Sequence, residues 1–138
     1  MIGATHMAIG LAVGSALAVG QPLTVQIGAA LLGALAARLP DQLEVWGIPH
    51  RTATHSLLIP FALGWIANQH LSGLELLAAY VACWSYASHI LADCLTVQGV
   101  PLLWPIPLRV KGWIVTNTAG DRAVMGVALV VLIGIFTA

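Results

Sequence analysis

Residues 7–37 read MAIGLAVGSALAVGQPLTVQIGAALLGALAA, thirty-one positions without a Lys, Arg, Asp or Glu. A water-soluble fold has to cover its surface with polar side chains, and this stretch has too few for any face. Lipid is the solvent that suits it. Gly20-Gln21-Pro22 interrupts the run, and Gly and Pro punctuate helices for steric and hydrogen-bonding reasons. The stretch therefore predicts two apolar helices, near 5–20 and 23–38, folded into an antiparallel hairpin by a tight connection. An Ala16-Leu17-Ala18 triplet follows the first apolar run, but no Lys or Arg precedes it as a secretory leader requires. Residues 5–20 are read as retained helix.

The rest of the 138-residue chain agrees. Thr52 to Leu74 is again free of Lys, Arg, Asp and Glu. The whole chain is 59% hydrophobic and 7% charged, against about 25% charged in average soluble domains. Its mean hydropathy is +0.94. Further apolar helices are predicted near 55–71, 74–95 and 120–137, the first two joined by Ser72-Gly73. The expected fold class is all-α: a polytopic membrane bundle of about five hydrophobic helices forming one integral membrane domain over 1–138. A 16-residue helix is about 24 Å long, less than the roughly 30 Å hydrocarbon core, so local thinning or partial insertion is expected. The formal net charge is zero, and no basic cluster supplies the footprint of a nucleic-acid binder.

Small residues crowd the first two helices, among them Gly10, Gly14, Ala29, Ala30, Gly33, Ala34 and Ala37, which lets backbones approach closely in lipid. Packing within the bundle accounts for Gly10-x-x-x-Gly14 without invoking a dimer. Cys83 and Cys94 fall on one helix about 16 Å apart, too far for a disulfide. The segment Val97 to Thr118 holds Pro101, Pro105 and Pro107 beside Trp104 and Trp113, with Arg109 and Lys111 near its end. Trp and basic residues anchor such loops at the membrane interface.

In an up-and-down bundle, odd helices start and even helices end on the same membrane face. His6, Arg38, Asp41, His50, Arg51, His55, His89, Asp93, Asp121 and Arg122 all land there, and only His70 and Glu75 are left for the other side. Ionisable groups at membrane depth cost about 2.5–3.5 kcal/mol each on insertion scales and persist where they pair or bind something. The positive-inside rule makes the crowded face cytoplasmic, with the N-terminus inside.

Two constellations carry chemistry. His89 and Asp93 are four apart and stack on one helix face, where an imidazole and a carboxylate can share an ion. A hydrogen bond that merely satisfies a buried imidazole is at least as common. Ser85, one turn back, raises a serine-type site of Ser85, His89 and Asp93, though three turns of one helix offer no evident oxyanion hole. The second constellation is His50-Arg51-Thr52-Ala53-Thr54-His55-Ser56, with Thr54 as helix cap and His55 in the first turn. Alone it is equally well a polar interfacial turn. Taken with His6, Asp41, His89 and Asp93, mixed imidazole and carboxylate donors suit zinc or another divalent transition metal. Arg51 is either a basic anchor or a guanidinium that clamps a phosphate or developing oxyanion.

Leu39-Pro40-Asp41, then His50-Arg51-x-x-Thr54-His55-Ser56-Leu57-Leu58, then Ser88-His89-Ile90-Leu91-Ala92-Asp93, followed by Leu95-Thr96-x-x-Gly99-Val100-Pro101-Leu102-Leu103-Trp104-Pro105, resemble the YdjM-like family of membrane-bound, metal-dependent hydrolases. The resemblance implies a bacterial or archaeal inner-membrane protein whose His and Asp positions hold metal. It supplies no substrate. The family commonly has Leu-Pro-Asp-x-Asp, whereas Gln42 and Leu43 follow Asp41 here, and Glu44 is the nearest stand-in for the second carboxylate. A more distant resemblance is to the all-helical zinc phospholipase C and P1-type nuclease group, which implies phosphoester hydrolysis.

The expectation is a hydrolase acting at the cytoplasmic membrane interface through metal-activated water. Its metal ligands or their orienting partners are His6, Asp41, His50, His55, His89 and Asp93, and Arg51 and Asp41 serve the chemistry. Zinc is the expected ion, one or two per chain, and the expected partners are membrane lipid and a lipid or phosphoester substrate. The competing reading is a non-catalytic membrane protein with a structural metal or an interaction role.

Overall fold

The computed structural model describes residues 1–43, 47 and 51–137. α1 spans Gly3–Leu17 and α2 Leu23–Ala36, with the Gly20-Gln21-Pro22 break between them. A one-turn α3, Leu39–Gln42, follows with Pro40 at its start, where a missing N–H has no helical partner to lose. After a 3-10 turn at Ala53–His55 come α4 (Leu58–His70), α5 (Gly73–Cys94), two short strands and α6 (Ala119–Thr137). The strands, β1 (Val100–Pro101) and β2 (Arg109–Val110), pair antiparallel with Val100 opposite Val110 and Pro101 opposite Arg109. The all-α class holds, with this small ribbon inside the Pro- and Trp-rich loop.

α5 is the axis of the bundle: α1, α2 and α4 pack on it, while α1 also packs on α2 and α6. The α1–α2 crossing depends on residues without side chains. A Cβ on Gly10 would run into the Gly33 carbonyl oxygen, and one on Gly33 into the Gly10 carbonyl oxygen. Gly14 meets the Ala29 carbonyl in the same way. Gly10-x-x-x-Gly14 is thus spent inside the chain, the close approach that van der Waals packing in lipid favours.

Large apolar side chains point outward. Leu31, Leu35, Trp65, Val127, Val130 and Ile133 are all exposed, the arrangement of a protein whose outer solvent is hydrocarbon. Three helical stretches are long and apolar enough to cross a membrane: 23–42, 73–94 and 119–137. α1 and α4, with 15 and 13 residues, reach only about 20–22 Å.

The helix predicted from residue 55 starts at Leu58 instead. Ser56 is extended, the Leu57 N–H donates to the Leu102 carbonyl at 2.9 Å, and the Ser56 hydroxyl donates to the same carbonyl at 3.3 Å. The chain docks on the loop beyond β1 before it turns helical, and Thr54 is not a helix cap. Leu57, Ile59, Cys94 and Leu102 pack around buried Tyr86, Ile90 and Val100 at this junction, fixing the 3-10 turn against the end of α5.

Candidate metal centre

Three elements deliver four polar side chains to one buried point. α3 supplies Asp41, the 3-10 turn His55, and the last two turns of α5 His89 and Asp93; these four offer ligand atoms all within 4.8 Å of one another. His55, His89 and Asp93 are buried, whereas the Asp41 side chain is 31% exposed and forms the open edge. His89 Nε2 and His55 Nε2 lie 3.2 Å apart, and each is 3.4 Å from Asp41 Oδ1. Asp93 Oδ2 stands 3.9 Å from both nitrogens.

The triangle fits a metal. Bonds of about 2.0–2.1 Å at the tetrahedral angle place neighbouring ligand atoms about 3.3–3.4 Å apart. Two imidazoles and one or two carboxylates are the donor set of zinc and of other divalent transition metals. The imidazoles are also held for the purpose. His89 Nδ1 is 2.7 Å from the Ala37 carbonyl oxygen; a carbonyl only accepts, so Nδ1 carries the proton and Nε2 presents its lone pair. His55 Nδ1 is 3.1 Å from Thr54 Oγ1. A hydroxyl both donates and accepts, so Thr54 serves either tautomer of His55. Without an ion, His55 Nε2–H can donate to His89 Nε2; with one, the proton belongs on Nδ1 and Thr54 accepts it. Burial pushes the His55 imidazole below its ordinary pKa, with the Asp41 carboxylate pulling the other way. Burial thus favours the neutral, ligating form.

Asp93 ties the centre to its surroundings. Arg51 Nη2 lies 3.0 Å from Asp93 Oδ2, and Arg51 Nη1 donates to the Gly99 carbonyl at 3.0 Å and to Thr96 Oγ1 at 3.4 Å. Thr96 Oγ1 in turn donates to the Asp93 carbonyl at 2.7 Å. Arg51 occupies a left-handed backbone conformation, φ 55°, sparsely populated for a side-chain-bearing residue and found where surroundings over-determine it. Gly99 is left-handed as well, φ 63°, and a Cβ there would strike the Val110 carbonyl. On the other carboxylate oxygen, His6 Nε2 is 3.3 Å from Asp93 Oδ1, and the Met1 amino group is 2.5 Å from it. The His6 ring stacks on that of His89, centroids 3.7 Å apart.

His6, Asp41, Arg51, His55, His89 and Asp93 are therefore brought together, and His50 and Glu44 lie outside the described residues. Asp121 is not in the cluster. It accepts from Thr5 Oγ1 at 2.6 Å, Ile2 N at 3.1 Å and Asn117 N at 2.8 Å, lashing the start of α1 to the start of α6. The serine-type arrangement is not built. Ser85 Oγ is buried without a hydrogen-bond partner, and both His89 nitrogens are directed elsewhere. Sequence reading missed Ala37, whose carbonyl carries no signal in residue type, and took Thr54 for a cap. It quoted Thr96 and Gly99 only as part of the family pattern and gave them no role, although Gly at 99 marks a left-handed position that can be anticipated.

Residues 1–138 match the family described as YdjM inner membrane protein. The chain is 42% identical to "Inner membrane protein YdjM" of Escherichia coli (strain K12), over 53% of this chain and 39% of that protein. The figures are the same for the protein of that name in Shigella flexneri. It is 36% identical to "Uncharacterized protein YvsG" of Bacillus subtilis (strain 168), over 45% of this chain and 38% of the relative. The matched region thus spans about two-fifths of the length of these relatives. No solved structure matches. With three helices suited to crossing a bilayer and a match along its whole length, the chain belongs to the YdjM family of inner membrane proteins.

Proposed function

We propose that this protein is a metal-dependent hydrolase with its centre at the cytoplasmic face of the inner membrane. One observation carries the reading: the 3.2, 3.4 and 3.4 Å triangle of His55 Nε2, His89 Nε2 and Asp41 Oδ1, open on the Asp41 side. A structural ion is enclosed by four protein ligands, whereas a catalytic one keeps a position for water. Among the described residues, three close donors with the fourth, Asp93, set back at 3.9 Å suit the catalytic kind.

His55, His89 and Asp41 hold the ion, zinc or a similar divalent metal. When bound, it supplies an acidified water and polarises the bond to be cut. The chain's own residues do the rest. The Ala37 carbonyl and Thr54 keep both imidazole lone pairs on the centre. The half-exposed Asp41 carboxylate stands where a substrate enters and can take a proton from the attacking water. Arg51 holds Asp93 in place, and its positive charge lies close enough to offset negative charge developing on a phosphoester. A centre at the interface of lipid-facing helices favours a lipid or lipid-like phosphoester or ester. The four exposed cations Arg38, Arg109, Lys111 and Arg122 on the site face support a cytoplasmic orientation.

Metal content of detergent-purified protein tests the reading. Wild type should hold stoichiometric metal, His89→Ala and Asp41→Ala should lose it, and His70→Ala, an exposed residue at the far end of α4, should keep it. A loaded protein should then release product from phosphoester or ester lipids. Folded wild type that takes up no zinc, manganese or iron would overturn the proposal.

A further inference from the structure

His6 is a buried imidazole that no described residue satisfies with a hydrogen bond. It is 1% exposed, and among the described residues neither ring nitrogen makes a hydrogen bond. Leaving a buried polar group unpartnered is costly, so such a group marks a missing partner. Its Nε2 lies 3.3 Å from Asp93 Oδ1, without the alignment of a hydrogen bond. That separation is, however, the one expected of two ligands on a single ion, about 3.3–3.4 Å.

The carboxylate of Asp93 divides its oxygens between two neighbourhoods. Oδ2 faces His55, His89 and Arg51, while Oδ1 faces His6 and the Met1 amino group. The His6 and His89 rings lie nearly parallel, 25° apart with centroids separated by 3.7 Å. His6 Nε2 faces Oδ1 at 3.3 Å and His89 Nε2 faces Oδ2 at 3.9 Å, so the two stacked rings address different oxygens of one carboxylate. The Met1 amino group satisfies Asp93 Oδ1, yet it leaves both His6 nitrogens without a partner, so packing around Asp93 does not account for His6.

We propose that Asp93 is a bridging carboxylate and that His6 is a ligand of a second divalent cation on its Oδ1 side, next to the ion held by Asp41, His55 and His89. The inference rests on the metal reading above and adds a dinuclear centre to it. Two ions sharing one carboxylate would clamp the attacking and leaving oxygens of an in-line displacement, the arrangement used on phosphoesters. The substrate class then narrows from esters in general to phosphoesters.

The test is metal-stripped protein reloaded with manganese, read by metal stoichiometry and by electron paramagnetic resonance. Wild type should take up two ions per chain and give an exchange-coupled spectrum. His6→Phe, which keeps a ring against His89, should take up one and give the uncoupled signal of an isolated ion. One ion in wild type, or two ions retained with coupling in His6→Phe, would overturn the second site and leave the first intact. No ion in wild type would overturn both. Should His6→Phe fail to fold, the wild-type stoichiometry and coupling decide alone.

Discussion

At the scale of single residues, the centre is set by what stands behind each ligand. Thr54 orients His55 through the 3.1 Å contact to Nδ1. Partners of this kind are worth about 10–100-fold in metal affinity. Thr54→Val keeps the shape and removes the hydroxyl, so zinc affinity measured by chelator competition should fall by about that factor while the fold persists. Arg51 behaves differently because its partner is a charge. Arg51 and Asp93 are both buried, with side chains 9% and 1% exposed, and removing one member of a buried pair strands the other at about 3–5 kcal/mol. Arg51→Met should lower the thermal midpoint in detergent well beyond Thr54→Val. That His89 and Asp93 lie together was legible in the sequence, since an i, i+4 spacing on a helix dictates a shared face for them. Asp41 and His55 could be placed with them only through helix count and direction. The partners behind them were not legible. A backbone carbonyl such as that of Ala37 belongs to every residue type, and a Thr preceding a helix satisfies the rules for a cap whether or not the chain turns helical there.

The elements are positioned by close backbone contact between α1 and α2. His6 on α1 and Asp41 beyond α2 reach the end of α5 only if the two helices cross where Gly10 meets Gly33. A Cβ on Gly33 would collide with the Gly10 carbonyl and press on Ser85 Oγ, whereas one on Gly28 meets nothing within 4 Å. Gly33→Ala should therefore destabilise the protein by about 1–3 kcal/mol through overpacking, and loosen the metal centre with it. Gly28→Ala should be neutral or mildly stabilising, because a helical Gly costs roughly 0.5–1 kcal/mol relative to Ala. Thermal unfolding of the two variants, with metal content measured on the same samples, separates a packing effect from a loss of helix propensity. Sequence pattern found these helices readily, because uncharged runs and Gly or Pro breaks are local signals. It placed the start of α4 three residues early and did not foresee the β1–β2 ribbon, for the reason that both depend on distant partners. Leu57 is kept out of a helix by the carbonyl of Leu102, and Val100 pairs with Val110 across an intervening loop.

The whole molecule is polarised across the membrane. Among the described residues, Arg38, Arg109, Lys111 and Arg122 are exposed on the face that carries the candidate metal centre, while His70 and Glu75 are exposed at the other. Arg51 is omitted from this count because it is buried in the centre and answers to Asp93. The acids of the site face do not cancel the four cations: Asp93 and Asp121 are almost fully buried and bonded, and Asp41 points into the cluster. The outward charge of that face is thus positive, and basic residues flanking membrane helices are retained on the cytoplasmic side. Cys83 and Cys94 are free and half-buried, so replacing both with Ala gives a background for single-cysteine labelling. A Cys introduced in place of His70 should react with a membrane-impermeant maleimide in intact cells, and one in place of Lys111 should react only after the membrane is opened. The reverse pattern would set the centre on the outer face of the inner membrane. There it would meet substrates and metal from outside the cytoplasm, and the four cations would have to be explained by what they bind rather than by how the chain inserts.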